Sequence, residues 1–336
     1  EPYEGDPRQI LRRAVERAKS MGYDHYYLGP ELEFFYFKNA EGTEPLDRGG
    51  YFDLTTLDAA SDLRRETVLA LEAMGIHVEF SHHEVAPSQH EIDMRYDDAL
   101  VMADNVMTYR TVVKEVAHRH GIYATFMPKP IRGQNGSGMH THQSLFTGDR
   151  NAFFDGKDEA HLSKVGKHYI AGILKHAPEF AVVTNQWVNS YKRLAGGAEA
   201  PAWICWGHNN RSSLIRVPMY KPSKGNSTRV EFRSLDSAAN PYLAFAVMIA
   251  AGLDGVENNL ELPDPVEESL YAMDAARVAQ QGIRELPGSL DEAIDEMRAD
   301  PVVTGALGDH VLSNFLEAKR AETEDYRIHV SQWELE

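Results

Sequence analysis

Apolar and polar residues alternate in several short stretches of the chain. In several longer ones apolar residues recur every three or four positions, so strands and helices are mixed. "GPELEFFYF" (29–37) reads as a strand that sets Leu32, Phe34 and Tyr36 on a core face and Glu31 and Glu33 side by side on the other. "HVEFSHHEVA" (77–86) and "QHEIDMRY" (89–96) predict two more strands joined around Pro87, and "MPKPIRGQNGSGMHTHQSLF" (127–146) a loop ending in a strand. "STRVEFRSLD" (227–236) predicts another strand. Helical spacing covers 8–21, 98–121, 163–184 and 240–259. It also covers 58–76, with Ser61 as its cap and Gly75 as its stop, and a helical tail over 288–300 and 310–330. There is no regular strand–helix–strand repeat, internal repeat or low-complexity linker. The expectation is one α+β domain over 1–336, an antiparallel sheet with surrounding helices.

The polar faces of these strands carry unusual groups. Alternation places Val78, Phe80, His82 and Glu84 together; Gln89, Glu91 and Asp93 together; His140, His142 and Ser144 together; and Arg229, Glu231 and Arg233 together. Neighbouring carboxylates repel, and burying them costs several kcal/mol more. Any one such face is ordinarily a solvated outer face, and His82 and His83 taken singly read as structural. In combination they point elsewhere. Mg²⁺ and Mn²⁺ take oxygen-rich sites, Mn²⁺ accepts imidazole as well, and five carboxylates with one histidine would make two adjacent sites.

Charge and composition narrow the picture further. The 336 residues are 43% hydrophobic and 25% charged, enough for a large core, and the net charge of −17 argues against a nucleic-acid surface. Cys205 is the single cysteine, so no internal disulfide framework exists, which fits a reducing, cytoplasmic setting. The polar, acidic opening "EPYEGDPRQI" is no signal peptide, and the longest apolar run (242–253) is too short to span a membrane. Five arginines, Arg193, Arg211, Arg216, Arg229 and Arg233, lie between positions 193 and 233. Each could be a surface ion pair. Beside a carboxylate nest they suit a polyphosphate clamp. The glycine-rich "RGQNGSGMH" allows close ligand approach, but it lacks the Gly-Lys-Ser/Thr ending of a P-loop.

The stretches "GPELEFF", "SHHEVAPSQHEID", "KPIRGQNGSGMHTHQSL", "VNSYKRL", "NNRSSLIRVP" and "TRVEFRSLDSAANPYLAFA" stand in one order along the chain. Together they resemble the glutamine synthetase superfamily, bacterial type I-like, whose catalytic domain shares its fold with guanidino kinases. The resemblance implies ATP-dependent activation of the glutamate γ-carboxylate as a γ-glutamyl phosphate, followed by transfer to ammonia. It implies Glu33, Glu84 and Glu91 as ligands of one Mg²⁺ or Mn²⁺, and Glu31, His140 and Glu231 as ligands of the other. Glu79, His142, Ser144 and Arg229 correspond to ATP contacts, and Arg211 and Arg216 to arginines on the transferring phosphate. Asn135, Gly136, Arg193 and Arg233 correspond to the glutamate site and Tyr51 to the ammonium pocket. Glu199 corresponds to the glutamate of the closing flap; with Arg211 and Glu84 it completes the expected catalytic set. The implied assembly is a homo-oligomer, a dodecamer of two stacked hexamer rings.

The pattern departs from the family twice. The family's small N-terminal domain, which completes a neighbour's active site, is expected to be absent from this chain. The flap reads "RLAGGAEAP" in place of the usual Pro-Gly-Tyr before Glu-Ala-Pro, which leaves room for a larger amine such as ethanolamine or a polyamine. A non-catalytic relative would be expected to have lost metal ligands, and all six are present. A metal-dependent hydrolase would leave the five arginines without a role.

Overall fold

The structure is a computed structural model that describes residues 3–54, 60–195, 200–219, 223–273 and 275–336. Its ten-stranded sheet runs β2–β3–β1–β6–β10–β9–β8. The long strand β1 (His25–Phe37) also pairs with β4 (Asp97–Asp98) and β5 (Tyr123–Thr125), and β7 (Arg150–Asn151) pairs with β6 (Met139–Thr147). The rest are β2 (Val78–His83), β3 (Gln89–Met94), β8 (Trp203–Gly207), β9 (Ser213–Arg216) and β10 (Val230–Phe232). The predicted antiparallel sheet needs one correction, because β8 and β9 pair in parallel while the other pairings are antiparallel.

The helices are α1 (Pro7–Ser20), α2 (Ser61–Ala73), α3 (Ala99–Arg119), α4 (Lys164–Thr184), α5 (Val188–Leu194) and α6 (Pro241–Glu257). A tail follows with α7 (Ala275–Gln280), α8 (Leu290–Arg298), α9 (Pro301–Leu307), α10 (Asp309–Ile328) and α11 (Gln332–Leu335). α6 is apolar almost all round and is buried between α1 and α4, as such a helix must be. Asn240 caps it by accepting from the Tyr242 and Leu243 N–H groups. The expected cap of α2 moves by one position: Ala60 is the N-cap and Ser61 the first helical residue.

One sheet face carries the core. Leu28, Leu32, Phe34 and Tyr36 of β1 are fully buried there with Ile92, Met139 and Leu145. The opposite face of the same strands holds the acidic side chains. No helix among the described residues is long and apolar enough to cross a membrane.

Candidate functional site

Strand register assembles the site. Glu31 lies opposite Asp93 and Glu33 opposite Glu91 on β3; across the other edge of β1, Glu31 lies opposite His140. Glu231 of β10 then faces His142, and Arg216 of β9 faces Glu231. Since directly paired residues share a face, the four strands β1, β3, β6 and β10 deliver their acidic and imidazole groups to one surface, and β9 adds Arg216. One alternation fails. A bulge between Val78 and Phe80 turns Val78 toward Met94 and the core, while Phe80 pairs with Asp93 on the site face.

Two clusters form. The ligand atoms of Glu31, His140 and Glu231 lie within 4.8 Å of one another, so the structure brings this expected trio together. His140 Nδ1 is 3.6 Å from Glu31 Oε2 and 3.8 Å from Glu231 Oε1. These gaps are too long for hydrogen bonds, yet short enough for two ligands held about 2.1 Å from one cation. Burial and nearby Arg233 push the His140 pKa down to about 4, leaving a neutral imidazole fit to ligate. Burial opposes ionisation of Glu31, but His142, whose Nε2 is 2.8 Å away, and His140 outweigh it and hold Glu31 well below the usual carboxylate range. Glu231 is anchored by Arg216 at 2.6 Å and by Arg233.

The second cluster is short of positive charge. Glu33 accepts from the Gln89 side-chain amide at 3.0 Å and from the Gly138 N–H at 2.9 Å. Glu84 accepts from the Val85 N–H at 2.9 Å and lies 3.7 Å from His82; Glu91 lies 3.3 Å from the other nitrogen of His82. The tight grouping within 4.8 Å is His82, Glu91 and Asp93; the expected trio Glu33, Glu84 and Glu91 converges around it without forming a group that tight. Burial, then Asp93 and Glu33, push Glu91 well above the carboxylate range, and burial pushes Asp93 up to about 7. Asp93 Oδ1 is buried with no hydrogen-bond partner. A divalent cation would relieve both conditions, so the donors fit one. Asp93 stood on the acidic face in the sequence but outside the expected ligand set, and His82 read there as structural.

Beside the acidic face opens a cleft of about 310 Å³ lined by Glu31, Glu79, His142, Ser144 and Arg229. Arg229 donates to His142 Nδ1 at 3.2 Å, so the expected ATP-contacting residues of β6 and of the segment leading into β10 share one wall. Tyr27, Tyr96 and Phe146 pack edge to face at 5.1–5.4 Å along it, an apolar wall suited to a base. The sequence reading missed this wall because it started β1 at Gly29 instead of His25.

The arginines divide. Arg193 is 2% exposed and donates to the carbonyls of Ser234 (2.6 Å) and Arg233 (3.4 Å). Arg233 is buried, while Arg216 and Arg229 are half-buried beside the cleft. Arg211 stands apart, exposed on the turn between β8 and β9, within interaction range of the half-exposed Tyr51. Asn135 and Gly136 lie near Arg193, and a Cβ at Gly136 would sit 2.1 Å from the Pro128 carbonyl oxygen, so only glycine fits. Glu199 lies outside the described residues.

Residues 4–336 match the family model described as glutamine synthetase, catalytic domain. The chain belongs to the glutamine synthetase family. It is 53% identical to a glutamine synthetase of Thermus thermophilus, covering all of this chain and 75% of the relative. It is 51% identical to one of Thermotoga maritima, covering all of this chain and 76% of the relative. Among solved structures, a cryoEM structure of Plasmodium falciparum glutamine synthetase superposes with a TM-score of 0.88 at 26% identity, covering 100% of this chain and 79% of that one. GmaS without ligand superposes with a TM-score of 0.87 at 35% identity, covering 99% and 76%. These relatives make the chain an enzyme of the glutamate–ammonia ligase class.

Proposed function

We propose that this chain joins the γ-carboxylate of glutamate to ammonia, using ATP and passing through γ-glutamyl phosphate. The observation that carries the reading is the register of β1 against β3 and β6. It pairs Glu31 with Asp93 and His140, and Glu33 with Glu91, beside a cleft of nucleotide size.

Glu31, His140 and Glu231 would hold one cation, and Glu33, Glu84 and Glu91 the other, with Asp93 and His82 beside them. Mg²⁺ or Mn²⁺ would supply charge neutralisation at the transferring phosphoryl group. Tyr27, Tyr96 and Phe146 wall the base, while Glu79, His142, Ser144 and Arg229 contact the nucleotide. Arg216 and Arg211 stabilise the phosphoryl group, and the anchoring of Arg216 on Glu231 limits its reorganisation during transfer. Arg193, Arg233, Asn135 and Gly136 orient glutamate. Glu84 and Tyr51 form the side of the site that receives ammonium, a cation drawn to the carboxylate excess. Glu199, on the flap, accepts its proton. The reading includes a homo-oligomer of two stacked hexamer rings and a cytoplasmic setting.

A second reading, a larger amine, rests on the flap's Gly196-Gly197-Ala198 and on the likeness to GmaS, a γ-glutamylmethylamide synthetase. The identities favour ammonia: 51–53% to glutamine synthetases over the chain against 35% to GmaS. Phosphate release with glutamate and ATP decides, compared across ammonium, methylamine, ethanolamine, putrescine and spermidine. A tenfold or greater preference for ammonium, about 1.4 kcal/mol of transition-state discrimination, is the expected result. The same preference for an alkylamine would overturn it.

A further inference from the structure

We propose that Asp47 and His83 are a buried positioning pair that locks the Tyr51 segment and Glu84 into one unit. The inference rests on the proposed function, since it assigns these residues to the same site.

The His83 and Asp47 side chains are 0% and 1% exposed. His83 Nε2 is 2.9 Å from Asp47 Oδ1, and Nδ1 is 2.7 Å from the backbone carbonyl oxygen of Glu84. A carbonyl oxygen can only accept, so Nδ1 donates to it. Asp47 Oδ1 also accepts the N–H groups of Ser88 at 2.8 Å and Gly49 at 3.2 Å. The imidazole therefore bridges two segments distant in sequence, 47–52 and 84–88. The Phe52 N–H donates to the His83 carbonyl at 3.0 Å, and Ser88 Oγ accepts the N–H groups of Leu46 and Asp47 at 2.6 and 3.0 Å. The ring lies so close to the first segment that a Cβ at Gly49 would stand 2.5 Å from Nε2. Tyr51 follows two residues later, and Glu84 is the next residue after His83.

The ligand atoms of Asp47, His83 and His90 also lie within 4.8 Å of one another, the spacing of a metal site. An ion there is disfavoured, because Arg64 places a guanidinium nitrogen 2.8 Å from His90 Nδ1 and already brings a cation. What the cluster does is hold backbone. If the Glu84 carbonyl turns, its carboxylate leaves the position it shares with His82 and Glu91. If the 47–52 segment lifts, Tyr51 moves from Arg211.

Two substitutions separate this role from packing. In His83→Asn the side-chain amide nitrogen occupies the place of Nδ1 and keeps the bond to Glu84. In His83→Gln it occupies the place of Nε2 and keeps the bond to Asp47. Mn²⁺ binding by calorimetry and steady-state kinetics are measured on the full chain. His83→Gln, which releases Glu84, is expected to weaken Mn²⁺ binding and to lower kcat/KM for glutamate at least tenfold, while His83→Asn, which releases the Tyr51 segment, keeps Mn²⁺ affinity within about threefold and raises KM for ammonium threefold or more. KM for ATP is expected to stay within twofold in both, since the nucleotide cleft is lined mainly by β1, β6 and residues 226–229 and takes only Glu79 and Phe80 from the far end of β2. Equal losses in the two variants, or wild-type Mn²⁺ affinity in His83→Gln, would overturn the inference. Should the His83 variants not fold, Asp47→Asn is expected to raise KM for ammonium threefold or more, and an unchanged value there would also overturn it. A wild-type chain that binds Mn²⁺ but shows no glutamate-dependent ATP turnover would defeat the proposed function and leave the calorimetric comparison standing.

Discussion

Two buried acid–imidazole clusters in this molecule look alike in composition and differ in what they leave over. The first is the acidic face of the sheet. The second lies among helices: His176 of α4 between Asp254 of α6, 2.9 Å from Nε2, and Asp300 at the start of α9, 2.5 Å from Nδ1. In the helical cluster His176, Asp254 and Asp300 pair with one another, and Glu179 beside them keeps one buried carboxylate oxygen without a hydrogen-bond partner. Asp254 also meets Lys175 at 3.1 Å, and Asp300 caps α9 by accepting from the Val302 and Val303 N–H groups at 2.7 and 3.0 Å. Asp254 and Asp300 are held below their ordinary pKa and His176 above, the signature of satisfied ion pairs, while burial raises Glu179 beside them. On the sheet face, by contrast, Glu91 and Asp93 are pushed upward and Asp93 Oδ1 is left without a partner. A cluster that satisfies itself holds a fold together; one that keeps a surplus of negative charge awaits a ligand.

The largest effects should separate the two clusters cleanly. Glu231→Gln, which removes the charge between Arg216, Arg233 and His140, is expected to lower ATP turnover at least ~100-fold. His176→Gln is expected to cost roughly 3 kcal/mol of stability, as breaking a buried pair does, while kcat and KM stay within about twofold. Parallel assays of turnover and thermal unfolding on both variants would read this. Loss of activity in His176→Gln at a temperature where it is folded would erase the distinction.

Much of this was legible in the sequence because strand alternation is strict wherever one face is buried. Glu31, Glu33, Glu91, His140 and Glu231 could be placed on one face before any coordinates, since a one-residue slip would have buried them in the core. The Glu79 bulge was not legible, because "VEFSHH" alternates as well with it as without it. Strands β8 and β9 were missed because five and four residues carry too little pattern to stand out from loop. The antiparallel pairing of β9 with β10 places Arg216 beside Glu231, and the connection from β8 to β9 leaves Arg211 on a turn, a division invisible in a count of arginines. Asp47 gave no signal at all. Its partner His83 is distant in sequence, and only the fold brings them together.

Binding of a dication offers a second contrast. Mn²⁺ or Mg²⁺ at about 100 times its dissociation constant should stabilise the folded wild type by about 2.7 kcal/mol, because it binds the folded state alone. The same upward shift in unfolding temperature is expected for His176→Gln, whose site is intact, and a clearly smaller one for Glu231→Gln. An identical shift in all three proteins would mean that the ion binds elsewhere, and the acidic face would lose its claim to be the cation site.

The smallest effect separates the clusters by pH. His176 has a folded-state pKa above its usual 6.5, even though burial works against the charged form, because Asp300 and Asp254 overcome burial. Its stabilisation is therefore complete below pH 6.5 and is lost as pH rises through the raised folded value. Asp254 and Asp300 are held below their usual 3.8, so their stabilisation is complete above that value and fades as pH falls through the depressed ones. The other charges facing the histidine are Lys175, which resists its protonation, and Glu179, itself raised by burial with Asp300 and Glu296 adding to the shift. The helical cluster thus contributes most between about pH 4 and 6.5. The stability gap between wild type and His176→Gln should narrow as pH rises from 6 to 9. A gap that stays constant or widens over that range would show that His176 is held neutral, and that the helical cluster is no closed ion pair.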